Sequence, residues 1–158
     1  MEKSKTGTGL YVLTGLVALA ALATMFFRYI TVRGIAFWRT GWSIFQSGNI
    51  LNIVLMSLFI VSAVVVIVLS FGRAGGAFDS HKAGRTLIFF GISMAVLSII
   101  VFITATRIAW PGFSHVYRRG GGLIGNLVLS IIVALLSFLP LALDKREEHH
   151  RRIRPHTA

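Results

Sequence analysis

Four stretches of this chain carry no charged residue: Gly9–Phe27, Asn49–Phe71, Thr86–Thr106 and Gly120–Leu143. Each is mostly apolar and close to the roughly 20 residues that a helix, rising 1.5 Å per residue, needs to cross the hydrocarbon layer. A segment in lipid must satisfy its own N–H and C=O groups, so each span is expected to be helical. The four account for more than half of the 158 residues. The expected fold is therefore all-α and integral to a membrane. It is a four-transmembrane-helix bundle in one domain, residues 1–143, with spans near 9–27, 49–71, 86–106 and 123–143. Residues 144–158 are expected to form a basic, flexible tail.

Composition closes off several functions. Only 13% of residues are charged, about half the share usual in soluble domains. The net charge is +11, but the basic residues flank the spans. That pattern indicates topology and contact with lipid headgroups, and no nucleic-acid partner is expected. There is no cysteine, which excludes disulfides, thiolate chemistry, iron–sulfur ligation and cysteine zinc sites. Lys3, Lys5 and Ala21-Leu22-Ala23 have the outline of a signal peptide. The apolar run continuing through Met25-Phe26-Phe27 favours a retained first helix.

Ten of the 16 Lys and Arg lie in the N-terminus, loop 2 and the C-terminal tail, and six lie in loops 1 and 3. The positive-inside rule then puts both termini in the cytoplasm, and the expected location is a prokaryotic plasma membrane. All five acids, Glu2, Asp79, Asp144, Glu147 and Glu148, fall on the cytoplasmic side of that topology. Loops 1 and 3 are purely basic.

Loop 1 reads RYITVRGIAFWRTGW. No neighbouring carboxylate is available to Arg28, Arg33 or Arg39. On a helical wheel over Ile35–Gln46, the apolar residues, including Trp38 and Trp42, fall on one half, and Arg39, Thr40, Ser43 and Gln46 on the other. That predicts a short interfacial helix after the first span. Its arginines would snorkel to lipid phosphates, the anionic headgroups being the expected partner. An acidic protein surface or a small anion are the alternatives. Loop 3 carries Arg107, Trp110, Arg118 and Arg119 in a similar setting, with a turn at Pro111-Gly112.

The two halves resemble each other. Gly48-Asn49 and Gly125-Asn126 each mark the start of an even-numbered span, and each follows a basic, aromatic loop. Two repeated helical hairpins would give that pattern. Asn49 and Asn52, three apart, share one helix face. With Asn126 they form either an interhelical polar clamp or the lining of a polar path. Three small-residue pairs, Gly91/Ala95, Gly121/Gly125 and Ser130/Ala134, are expected at close helix contacts.

Little in the chain points to chemistry. No span interior holds Asp, Glu, Lys, Arg or His, which argues against a proton-coupled carrier acting alone and against haem held within the bundle. Asp79 and His81 have no accompanying nucleophile, and Asp79-Ser80 fits a helix cap. His115 stands alone in loop 3, and His149, His150 and His156 lie in the tail. No metal, cofactor or catalytic residue is expected, and the chain is not expected to be an enzyme. The function expected is an accessory or structural subunit in a larger membrane complex, through a protein partner or self-association. The alternative is a homo-oligomeric channel or carrier with an asparagine-lined path.

Overall fold

The computed structural model describes residues 5–32, 38–46, 50–78, 80–109 and 117–153. In chain order they form α1 (Lys5–Ala23), a 3-10 turn (Thr24–Phe26), β1 (Arg28–Val32), β2 (Trp38–Thr40) and α2 (Gly41–Phe45). Then follow α3 (Ile50–Ala74), α4 (Ser80–Ala109), β3 (Tyr117–Arg119) and α5 (Gly121–Ile153). Four helices are long and apolar enough to cross a membrane, over Gly7–Phe26, Ile50–Ala74, Lys82–Thr104 and Gly121–Pro140. The chain is an all-α four-helix bundle of the membrane-spanning kind, with one small sheet added at one end.

Each long helix packs against two others. α1 lies against α3 and α5, and α4 against α3 and α5. Neighbours in sequence thus pack along α1–α3–α4–α5, as in an up-and-down bundle with short connections, and the α1–α5 contact between the first and last helices closes the ring. Its interior holds Ala18, Ala21, Ala63, Val66, Met94 and Val133, and also the polar Thr14, Ser62, Ser70, Ser98, Asn126 and Ser130. Large apolar side chains such as Leu16, Leu58, Val61 and Leu135 are half exposed on the outside. In water that arrangement would be inverted. In lipid it is expected, because helix contacts there rest on small residues and interhelical hydrogen bonds rather than on apolar burial.

The helix ends have local causes. α3 runs into Gly75-Gly76. The Ala77 N–H reaches back to the Gly72 carbonyl at 2.8 Å and the Gly76 N–H to the Arg73 carbonyl at 3.1 Å. This is a Schellman ending, and it needs the left-handed backbone that Gly76 adopts at φ 79°. At α2, the Thr40 side chain accepts from the Ser43 N–H at 3.0 Å, and the Ser43 hydroxyl donates to the Thr40 carbonyl at 2.9 Å. That reciprocal cap starts the helix at Gly41.

The helix after the first span is present but shorter than the amphipathic pattern from Ile35 suggests. Trp38–Thr40 is strand, paired antiparallel with Arg28–Val32. The sequence of β1, RYITV, is built from aromatic and β-branched residues, which favour a pleated surface. A wheel drawn over Ile35–Gln46 sorts polar from apolar residues but cannot detect a strand partner. Residues 33–37 are outside the described residues.

Candidate functional site

The strands form one sheet in the order β2-β1-β3, antiparallel throughout. Loops 1 and 3, far apart in sequence, are therefore a single structure. Ile30 pairs with Arg39 on one side and Arg119 on the other, while Thr31 pairs with Trp38 and Arg118. Directly paired residues share a face. One face of the sheet thus carries Arg39, Ile30 and Arg119, and the other carries Trp38, Thr31 and Arg118.

Burial orients these faces. Ile30 is buried, whereas Trp38 and Arg118 are exposed. The Ile30 face is turned to the bundle and the Thr31 face away from it. Arg119, although exposed, reaches α4 from the Ile30 face. Its Nε donates to the Phe102 carbonyl of α4 at 3.1 Å, and its guanidinium lies 4.3 Å from the Phe102 ring centre. Arg119 therefore ties β3 to α4.

The register slips between Arg28 and Ile30. Such a bulge sets two residues of β1 against one of β2. Its consequence is visible in burial, because Tyr29 and Ile30 are consecutive and both are buried. Arg28 is exposed. Its guanidinium sits 5.2 Å from the centre of the Trp38 ring, a cation–π contact on the outward face. The bulge thus delivers Arg28 to the same face as Arg118.

Glycines set the sheet onto the bundle. The Gly120 N–H donates to the Tyr29 carbonyl at 2.7 Å. A Cβ at Gly120 would run into the Arg28 carbonyl, and one at Gly122 would lie 2.9 Å from the Phe27 Cβ. At Gly41 a Cβ would come within 2.9 Å of the Tyr29 ring. Gly121, expected at a helix contact, faces open space, with nothing within 4 Å of a Cβ. The close approach falls on its two neighbours, because β3 leads straight into α5 and presses the junction against Arg28. Gly125 has room for a Cβ, 3.6 Å from the Thr24 methyl.

Beneath the sheet lies a buried polar knot. The Asn126 Nδ2 donates to the Ala21 carbonyl and to the Thr24 Oγ1, both at 3.2 Å. Its Oδ1 accepts from the Ser98 hydroxyl at 2.6 Å. Ser98 and Ser130 hydroxyls are 2.8 Å apart. Ser98 has one proton, which goes to Asn126, so Ser130 is the donor between them. Thr24 in turn donates to the Ala21 carbonyl at 2.6 Å. The knot joins α1, α4 and α5. Tyr29 sits just above it, and burial pushes its phenol up to about 12, while a hydrogen bond with Thr24 pulls the other way. Sequence reasoning singled out Asn126 but not Ser98, Thr24 or Tyr29. The signal for Ser98 and Thr24 was only that of small polar residues within apolar spans, and Tyr29 had none.

The other sequence candidates fall in several places. Asn52 is buried on α3. Gly91 and Ala134 meet within the chain, since a Cβ on Gly91 would lie 2.6 Å from the Ser137 Oγ and 3.5 Å from the Ala134 Cα. That face of α4 is thus covered by α5, with Ala95 one turn further along α4. Trp42 stacks on Phe26 at 6.0 Å and tilts against Phe45 at 5.4 Å. Arg33, Asn49, Asp79, Trp110 and His115 lie outside the described residues, as do the side chains of Arg107 and His81. Among the described residues no group of three or more His, Cys, Asp or Glu is placed to hold a metal. No family model, no curated protein and no solved structure matches this chain.

Proposed function

We propose that this protein is a non-enzymatic accessory subunit of a membrane assembly, and that its basic sheet is the contact surface. The observation that carries the reading is the union of the two acid-free loops. Arg28, Arg39, Arg118 and Arg119 stand on three adjacent strands, and residues 28–46 and 105–119 contain no Asp or Glu. Such a surface holds an anionic counterpart, either lipid phosphate or an acidic partner. It is also fixed in place, by the Arg119 bond to α4 and by the glycine junction with α5.

The bundle interior supports this reading over a polar path. Asn126 spends its amide on α1 and α4, and the Gly91 face is closed by Ser137. Both groups are used in holding α1, α4 and α5 together.

The test is native mass spectrometry after mild extraction from the source membrane. A stoichiometric larger partner is the expected companion. A homo-oligomer alone would overturn the subunit reading and bring the channel or carrier forward.

A further inference from the structure

We infer that the outward face of the sheet binds the phosphate of an anionic membrane phospholipid, with Arg28 and Arg118 as the phosphate ligands and Trp38 as the platform beneath Arg28. This rests on the reading of the sheet as a contact surface and names its occupant.

The arginines are not equivalent. Arg119 is committed to α4 through the Phe102 carbonyl, and Arg39 shares its bundle-facing side and is half-buried. Arg28 and Arg118 are exposed, on adjacent strands, on the face turned from the bundle. The Arg28 guanidinium is already held over the Trp38 ring, 5.2 Å from its centre. A guanidinium over a ring face can still present edge N–H groups, and those match phosphate oxygens in pairs.

Depth selects a lipid over an acidic protein. The first span ends at Phe26 and the fourth begins at Gly121. Arg28 and Arg119 are each only two residues from those ends. At about 3.3 Å per residue Arg28 lies within about 7 Å of its span end, and Arg118, three residues before Gly121, within about 10 Å. The headgroup layer is itself about 5–7 Å thick on each side. The ends of β1 and β3 that carry Arg28 and Arg118 are therefore close to the level of the phosphates. The aromatic residues at this end agree. Phe26, Phe27, Trp38 and Trp42 are 66%, 63%, 47% and 40% exposed, as suits side chains in the interfacial belt.

The experiment uses the full-length protein in a mild non-ionic detergent, titrated with dioleoylphosphatidylglycerol and followed by native mass spectrometry. Dioleoylphosphatidylcholine and inorganic phosphate are run in parallel. The wild-type chain should retain the anionic lipid preferentially. The R28Q/R118Q double variant should bind it at least about tenfold more weakly, since each lost bond is one to a charged group. R28K/R118K, which keeps charge but not the paired donors, should fall between. R85Q, at the opposite end of α4, should match wild type. Unchanged retention in R28Q/R118Q overturns the proposal. So does displacement of the lipid by inorganic phosphate, which would make the site one for a free anion. If R28Q/R118Q keeps the lipid but loses a co-purifying protein, the lipid assignment fails and the contact-surface reading stands. If it loses neither, both fail.

Discussion

Two adjacent glycines should respond to alanine with opposite signs. At Gly120 a Cβ would meet backbone only: the Arg28 carbonyl group, and the Tyr29 carbonyl carbon at 3.1 Å. No side-chain rotation can relieve that contact, so β1 or the start of α5 must move. Overpacking of this sort costs about 1–3 kcal/mol. The movement also strains the Gly120 N–H bond to the Tyr29 carbonyl, 2.7 Å long, and an unmade buried bond costs a further 1–3 kcal/mol or so. Gly120→Ala should therefore destabilise the fold by about 2–5 kcal/mol. Gly121→Ala meets nothing within 4 Å and begins a helix, so it should be neutral or stabilising by up to about 1 kcal/mol. Unfolding by dodecyl sulfate in mixed micelles reads both. The chain has no cysteine, so a Thr31→Cys/Arg118→Cys pair reports on the sheet directly. Those positions are register partners, within the Cα spacing a disulfide accepts. Crosslinking should be fast in the otherwise wild-type background and much slower with Gly120→Ala. Equal stability of the two alanine variants, or undiminished crosslinking, would refute the junction as described.

Asn126→Ala removes three bonds, to α1, to the 3-10 turn that follows it and to α4. At about 0.6 kcal/mol each within a membrane it should cost about 2 kcal/mol, measured in the same unfolding assay. Gly91→Ala should destabilise by about 1–2 kcal/mol through Ser137, and Ser137→Gly should recover most of that in a double-mutant cycle. Tyr29 binds its proton more tightly folded than unfolded, so its contribution is full below pH 10 and is lost as pH rises toward about 12. Wild type should lose about 2–3 kcal/mol relative to Tyr29→Phe across that window, as followed by alkaline unfolding of the two proteins side by side. Single cysteines in loop 2 and in loop 1 should react with an impermeant reagent from opposite sides of sealed vesicles. Labelling from the same side would remove the basis for calling the sheet end the outer one.

The spans were legible because twenty uncharged apolar residues have few alternatives. Their ends were less so. Lys82 and Arg85 lie inside α4, and Arg73 inside α3, since basic side chains near a span end can reach the headgroups. Hydropathy stops at the charge, whereas the helix stops where its backbone finds a cap, as at Gly76. The sheet was not legible for a different reason. β2 and β3 are three residues each, and β1 is five. Segments that short have no reliable period, and their partners are set by where the helices end. The one local sign, Tyr29-Ile30-Thr31-Val32, is a run of four, and the amphipathic pattern that fits an interfacial helix begins only at Ile35. Asn126 stood out because an amide in lipid must find a partner. Which partner it finds depends on the rotation of α1 and α4, which the chain alone does not state.

The bulge between Arg28 and Ile30 links these levels. A regular strand from Arg28 would place Arg28 and Ile30 on one face and Tyr29 and Thr31 on the other. Tyr29 would then point away from the bundle, and Arg28 would turn toward it. One extra residue in β1 reverses both assignments. It seats the Tyr29 phenol beside Thr24, at the edge of the Asn126 knot, and sets Arg28 on Trp38. The same irregularity therefore anchors the sheet to α1 and α5 and forms its outward basic face. Deleting one residue from β1 should then do two things at once. It should abolish anionic-lipid retention as fully as R28Q/R118Q does, and it should lower stability as Asn126→Ala does. A deletion variant that lost lipid but kept full stability would separate the two roles and remove the bulge as their common cause.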